Sequence, residues 1–296
     1  MSTRCGSIAI VGRPNVGKST FLNRVLNQKL SITSRKPQTT RYQILGLHTV
    51  GDTQLIFVDT PGWQRQPRNQ LNRLMNKEVT HALTQVDCAL MICDARHWDK
   101  EDALVAEMLS NYPVVSILAL NKLDHLKKKS ELLPRIQSIS EKFPRFDEYF
   151  PMSAKRGDGV DEVVACLARH SPEGEFLFPE GQLTDRSERF LSAEIVREKT
   201  MRYLGDELPY QTSVVIDEFS DEDELTRILA TVWVGRESHK GIVIGKNGQL
   251  MKRIASDARR EIEQLLGRKV FLKVWVKTRH GWADSKEALQ ELGLSD

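Results

Sequence analysis

Residues 12–19 read Gly-Arg-Pro-Asn-Val-Gly-Lys-Ser, after the apolar run Ile8, Ala9, Ile10, Val11 and before a segment, 20–26, that can continue as a helix. A strand that stops in a glycine-bounded loop and then turns into a helix aims several backbone N–H groups and the positive end of the helix dipole at one point. A polyphosphate fits that point. Gly12 and Gly17 let the backbone turn where a Cβ would collide, Lys18 can reach β- and γ-phosphates, and the Ser19 hydroxyl can ligate Mg²⁺. Arg13, Pro14, Asn15 and Val16 span the loop, and Thr20 continues into the helix. The bland alternative is a surface turn that matches by accident, and the flanking strand and helix argue against it.

At 296 residues the chain is long enough for about two domains. Its 40% hydrophobic and 28% charged content reads as soluble and globular. No apolar run approaches the roughly 20 residues of a membrane helix. The first six residues hold no apolar signal core, so a cytoplasmic protein is expected. Cys5, Cys88, Cys93 and Cys166 are scattered without metal-ligand spacing and read as reduced thiols. The net charge of +3 hides an uneven distribution: residues 236–279 carry twelve Lys/Arg against four Asp/Glu. An anionic partner is expected there.

After the cradle, 29–41 is polar and hydroxyl-rich and reads as a loop containing Pro37-Gln38-Thr39-Thr40-Arg41. A threonine in such a loop can ligate Mg²⁺ when a γ-phosphate holds the loop in place. Thr40 is preferred over Thr39 because it directly precedes the next strand. Runs 42–48 and 54–58 read as a hairpin through Gly51 and Asp52, and the second ends in Asp59-Thr60-Pro61-Gly62. Alone, those four residues are an ordinary turn. At the end of a strand beside the cradle, Asp59 is placed to hold Mg²⁺ through water, and the Gly62 N–H to meet a γ-phosphate. Helical spacing over 71–83 and 101–109 alternates with buried strands over 86–93 and 114–120, which predicts an α/β fold with a mostly parallel sheet. The last of these strands leads into Asn121-Lys122-Leu123-Asp124. An Asp124 carboxylate accepts paired hydrogen bonds from guanine N1–H and N2–H₂, donors that adenine lacks in those positions. Asn121 would meet the N7 side of the base and Lys122 would lay its stem along the ring. After a strand at 149–152, Ser153, Ala154 and Lys155 can offer backbone N–H groups to guanine O6.

In this order and strand context, the motifs over about 5–172 resemble the translation-factor-like GTPases, and Gly-Arg-Pro-Asn-Val-Gly-Lys-Ser with Gln-Thr-Thr-Arg is similar to the bacterial Era family among them. That resemblance implies GTP/GDP as ligand with Mg²⁺. It also implies a GTPase with a hydrophobic residue after Asp-x-x-Gly; here it is Trp63, where many small GTPases carry a water-orienting Gln. Another arrangement must position water, with K⁺ near Asn15 or a partner molecule as the options, and slow intrinsic hydrolysis is expected. No side chain stands out as a general base; Lys18, Thr40 and Gly62 are the transition-state or switch contacts.

Residues 173–184, rich in Pro, Gly and Glu, read as a linker between a domain at 1–172 and one at 185–282, with a tail at 283–296. The second half predicts a helix over 185–203, strands over 212–219 and 227–235 around an acidic tip, a helix over 249–266 and a strand over 269–276. At its centre stands Gly245-Lys246-Asn247-Gly248. Two glycines around a Lys-Asn pair let a nucleic-acid backbone approach, Ile242 and Ile244 line an apolar groove for unstacked bases, and Lys246, Lys252, Arg253 and Lys273 can neutralise phosphates. Taken alone, those four residues fit equally a helix-to-helix turn with a solvated basic face. Ile-Val-Ile-Gly-Lys-Asn-Gly, however, resembles the core of a KH domain, and the element order is that of the smaller, α+β, type II KH fold. Trp275 and Trp282 can stack on bases or on another protein, but the alternation of the 269–276 strand favours a buried Trp275.

Segments 203–210, 273–277 and 281–284 extend the resemblance to the Era family over essentially the full length. It implies a role in small (30S) ribosomal subunit assembly, with binding of 16S rRNA near its 3′ end, and a peripheral association with the inner membrane. A monomer is expected. Two rival readings are an RNA-binding assembly factor in which GTP is a structural ligand, and a membrane-associated signalling GTPase.

Overall fold

The computed structural model describes residues 2–294 apart from Arg35, Pro37, Gln38, Arg68, Lys127, Asp206, Asp223 and Glu224. Gln38 of the Gln-Thr-Thr-Arg run and the last two residues of the acidic tip therefore lie outside the described residues. The chain forms two compact units, one of Met1–Ser31, Thr40–Pro67 and Met75–Asp185, the other of Ile32–Thr39, Arg68–Leu74 and Arg186–Asp296.

The first unit is built on a six-stranded sheet. Its strands are β1 (Arg4–Val11), β2 (Ile44–Val50), β3 (Thr53–Asp59), β4 (Cys88–Asp94), β5 (Val115–Asn121) and β6 (Glu148–Pro151), in the order β2-β3-β1-β4-β5-β6. Of these six, only β2 runs antiparallel. All seven residues of β4 are buried, as expected of a parallel strand covered on both faces. Between strands run α1 (Lys18–Val25), α2 (Gln70–Leu83), α3 (Lys100–Leu109) and α4 (Leu132–Lys142), with α5 (Val160–His170) after β6. Helix α1 seats Phe21 and Leu22 on the sheet, with Phe21 edge-on to Phe57 at 5.9 Å between ring centroids. Another layer joins Val79 and Leu83 to Met91, Val105, Leu109, Leu118 and Leu120. Each such side chain contributes about 1.5–3 kcal/mol when fully buried.

Two helices, α4 and α5, are additions to the sequence expectations. Val160, Val163, Cys166 and Leu167 have one-face helical spacing and are all buried, so α5 carried a readable signal. On α4 only Ile139 is fully buried, which leaves a weak pattern. The expected linker has no regular element, yet it is strapped to the sheet: Gln54 accepts from the N–H groups of Leu177 and Phe178 and donates to the Phe178 carbonyl, while Leu183 O accepts from Leu47 N.

The register decides where chemistry can sit. Ile10 pairs with Asp59 and Asp94 with Asn121, so the ends of β1, β3, β4 and β5 deliver their loops to one edge. Strands β3 and β4 leave β1 on opposite sides, and a crevice at such a switch point is where open α/β sheets bind ligands.

The second unit carries α6 (Glu188–Tyr203), β7 (Thr212–Glu222), β8 (Leu225–Val234), α7 (Glu237–Ile244), α8 (Gln249–Leu266), β9 (Val270–Thr278) and α9 (Lys286–Glu291). The sheet order is β7-β8-β9, antiparallel then parallel. Val196, Ile216, Ile228, Val232, Val243, Ala258 and Ile262 fill its core. Strands β7 and β8 pair out to Glu222 and Leu225, so much of the expected acidic tip is ladder. One expectation is corrected. Trp275 is not buried: Leu272, Val274 and Val276 face the core, and Trp275 lies on the opposite face of β9, 37% exposed, between Lys273 and Lys277. Trp282 is the buried indole, its N–H donated to Gln211 O.

Candidate functional site

In the first unit the cradle has the backbone that its glycines predict. Gly12 has φ 144° and Gly17 φ 110°; a Cβ would lie 2.4 Å from Ile92 O at the first and 2.2 Å from Asn121 Nδ2 at the second. Gly17 caps α1, and Val16 is buried beneath the loop. Lys18 is buried and donates to the carbonyls of Gly12 (2.9 Å) and Arg13 (3.2 Å). Burial brings its ammonium down to about 8, against the attraction of Asp59. The Arg13 guanidinium is turned to α3, where it pairs with Asp102 at 3.0 Å and Asp99 at 3.3 Å, so Arg13 belongs to the cradle through its backbone. Pro14 closes on Gly62, whose added Cβ would meet Pro14 Cγ at 2.7 Å. Thr60 donates its hydroxyl to Ile10 O, fixing the 59–62 turn to β1.

Four oxygen-bearing side chains meet beside Lys18. Ser19 Oγ lies 2.9 Å from Thr40 Oγ1 and donates to Asp59 Oδ2 at 2.8 Å, which also accepts from Ser31 Oγ at 2.9 Å. Asp59 Oδ1 is buried and makes no hydrogen bond among the described residues. Burial raises this carboxyl, opposed by Lys18, Ser19 and Ser31. A buried carboxylate oxygen without a partner is costly, and hard oxygen donors at this spacing suit a small divalent cation. Ser19, Thr40 and Asp59 therefore fit Mg²⁺. Trp63 is partly buried against the hydrophobic core.

At the same sheet edge, Asp124 accepts from Ser153 Oγ at 2.7 Å. Burial alone would raise its carboxyl, but that bond, a backbone N–H and the nearby His125 and Arg156 hold it below the usual range. Asn121 is a brace: its Nδ2 donates to Val16 O at 2.8 Å, and its Oδ1 accepts from the N–H groups of Lys122 and Ala154. Lys122 runs back to Asn15 O (2.7 Å) and Asp94 (3.0 Å). Ser153 N–H is taken by Asp158 O and Ala154 N–H by Asn121, so of these three the Lys155 N–H is the one with no hydrogen bond among the described residues. Arg24 of α1 ties this loop to the cradle's helix by donating to Ala154 O and Lys155 O.

The second unit holds its own set. Gly245 (φ 74°) cannot take a Cβ, which would meet Leu250 Cβ at 2.6 Å, whereas a Cβ on Gly248 meets nothing within 4 Å among the described residues. Lys246 and Asn247 are exposed between them, and Gly248 caps α8. Ile242 is 57% exposed and Ile244 half-buried, while Val243 between them is in the core. Lys252 is exposed; Arg253 lies over the Tyr203 ring at 4.7 Å. An exposed cation pair above an apolar lip suits a flexible polyanion with unstacked bases.

Residues 32–39 group with this unit, a feature the sequence reading missed. Glu198 accepts from Thr33 N at 2.8 Å, Arg197 donates to Thr39 O at 2.6 Å, and Lys36 Nζ donates to Met201 O and to Leu204 O. Helix α6 buries Glu194, Arg197, Glu198, Lys199 and Thr200. The sequence carries no signal for this, because charged side chains that hold a distant loop have the same spacing as those of a solvated face.

Residues 7–122 match the family model described as 50S ribosome-binding GTPase, and 207–283 match the KH domain model. The chain is 49% identical over 295 residues to GTPase Era of Pseudomonas entomophila strain L48, covering 100% of this chain and 98% of that protein. It is 47% identical over 294 residues to GTPase Era of Coxiella burnetii strain Dugway 5J108-111, covering 99% of each. A crystal structure of Era in complex with MgGDPNP and nucleotides 1506–1542 of 16S ribosomal RNA superposes with a TM-score of 0.96 at 38% identity, covering 99% of this chain and 100% of that one. A variant of Aquifex aeolicus Era bound to GDP and AlF₄⁻ gives the same values.

Proposed function

Given that the chain belongs to the GTPase Era family, we propose that it is a GTP-hydrolysing switch that binds 16S rRNA near its 3′ end through its KH domain during assembly of the 30S subunit. The triphosphate lies in the loop of Gly12, Arg13, Pro14, Asn15, Val16 and Gly17, with Lys18 reaching its β- and γ-phosphates and the Gly62 N–H meeting the γ-phosphate. Ser19, Thr40 and Asp59 would hold Mg²⁺, which when bound would neutralise charge on the phosphate oxygens. Asp124 selects guanine, Asn121 and Lys122 hold the pocket around it, and the Lys155 N–H is the donor for O6. Gly245, Lys246, Asn247 and Gly248 take the RNA backbone, Ile242 and Ile244 the bases, and Lys252 and Arg253 the phosphates. We place the protein in the cytoplasm, on the ribosomal subunit it services. No helix among the described residues is long and apolar enough to cross a membrane.

One observation carries the switch over a role for GTP as a structural ligand. Thr39 is held through its carbonyl by Arg197 of the RNA-binding unit, and the next residue, Thr40, has its hydroxyl 2.9 Å from Ser19. A change in what Thr40 ligates is thus passed along one peptide bond to α6. The test is RNA affinity with GTP, with GDP and without nucleotide. Different affinities are expected, with the difference reduced in Arg197→Ala; equal affinities in all three states would favour the structural-ligand reading.

A further inference from the structure

The outer face of β9 is built unlike an ordinary solvated strand. Along it Phe271, Lys273, Trp275 and Lys277 alternate with the core-facing residues, and alternate residues on a strand stand roughly 6.6–6.8 Å apart. Phe271 is 43% and Trp275 37% exposed. Each ring is accompanied by a cation, Arg227 of β8 at 5.4 Å from Phe271 and Lys273 at 4.9 Å from Trp275. Arg227 stands opposite Phe271 in the ladder and Leu229 opposite Lys273, so the patch spans two strands. Two carboxylates border it, Glu218, 3.3 Å from Arg227, and Asp217, which accepts from the hydroxyl of Thr231, the residue opposite Trp275. Large aromatic surface left in water between positive charges asks for an occupant.

We propose that this face is a second RNA-contact surface, separate from the Gly245–Gly248 groove, on which bases of a single strand stack against Trp275 and Phe271 while Lys273, Lys277 and Arg227 meet phosphates. The inference rests on the reading of the second unit as RNA-binding. Aromatic faces interleaved with cations are the sequence-tolerant platform for single strands, because every base has a π-face and every nucleotide a charge. A second copy of the chain fits poorly, since an isologous contact would set these cations against themselves. Helix α7, which ends at the Gly245 loop, packs against the core side of β9, and β9 is the edge strand of its sheet, so an RNA leaving the groove reaches this face by passing round that edge. The two surfaces together would hold a longer segment than the groove alone.

The test uses the full chain with two unstructured, mixed-sequence RNAs, one of four nucleotides and one of twelve. Wild type should bind the longer RNA more tightly. Trp275→Ala should weaken the twelve-mer on the order of tenfold and leave the four-mer unchanged, with Trp275→Phe retaining most of the affinity. Lys273→Gln with Lys277→Gln should lower the log–log salt slope for the twelve-mer by about 1.4. Twelve-mer affinity unchanged in both Trp275→Ala and the lysine pair would overturn the proposal, as would equal loss on both RNAs. A wild type that binds the four-mer and gains nothing from length would sink it while sparing the RNA-binding reading. Binding of neither RNA would remove both. Concentration-dependent dimerisation abolished by Trp275→Ala would reassign the face to self-association.

Discussion

The chain uses the same short device twice, a lysine between or beside two glycines at the start of a helix, and the two copies differ in what surrounds them. At Gly12–Lys18 the protein closes in: both glycines would strike neighbouring atoms if given a Cβ, and the lysine is buried against loop carbonyls. At Gly245–Gly248 the protein stays open: Lys246 and Asn247 stand in solvent, and a Cβ on Gly248 would find no neighbour among the described residues. A small polyphosphate has to be enclosed to be stripped of water and read from all sides, whereas a polymer has to pass over and leave. Motif similarity therefore tells less about the ligand than burial does.

The widest separation between the loops should come from adding one methyl group. Gly17→Ala places a carbon 2.2 Å from Asn121 Nδ2 in a left-handed backbone. Strain of roughly 1–2 kcal/mol adds to that clash, and nucleotide affinity should fall by more than about a hundredfold in a titration with fluorescent GTP. Wild-type affinity would show that the enclosure yields. Next, Asp124→Asn should lower GTP affinity on the order of a hundredfold and turn preference toward xanthine nucleotides, because an amide cannot accept both guanine donors. Unchanged selectivity would take Asp124 out of the base site.

Smaller effects are expected where water is present. Lys246→Asp together with Asn247→Asp should weaken RNA binding about tenfold and leave GTP affinity alone, with retention in a filter assay as the check. Both affinities falling together would mean the loops are not independent. Acidity separates them again: Lys18 titrates at about 8 without ligand and must be charged to hold phosphate, so the complex binds the extra proton. GTP affinity should accordingly fall as pH rises above about 8, with proton uptake visible by calorimetry in two buffers. The same depressed value means the unfolded chain holds more protons between about 8 and 10.5, so this group's contribution to stability grows with pH across that window. The mildest change is Gly248→Ala, which meets no described atom and carries only left-handed strain of roughly 1–2 kcal/mol, measurable by denaturant unfolding.

Much of this was legible in the amino-acid order alone. The central strands announced themselves as apolar runs ending in glycine, aspartate or asparagine, because a strand covered on both faces has no polar side to show. The phosphate loop and the Gly245–Gly248 loop were readable because their glycines answer to local geometry. Trp275 was misread for an instructive reason. Strand β9 has one face that is apolar from Val270 through Leu272 and Val274 to Val276 and another on which Phe271 and Trp275 are interleaved with Lys273 and Lys277, so alternation by itself suggests burial of a tryptophan, and only its shared parity with the two lysines sets it off the core. Arg197 and Glu198 were illegible for a different reason. Their partners are Thr39 and Thr33, more than 150 residues away, and nothing in a helix's own spacing tells a charge that holds a distant backbone from one that faces water.

Asn121 has a consequence for anyone wishing to retarget the pocket. Because its amide clasps Val16 on one side and Ala154 on the other, it serves as a keystone whose removal loosens the phosphate loop and the base loop at once. An altered nucleobase preference has to be engineered at Asp124, where a change of donor pattern leaves the vault standing.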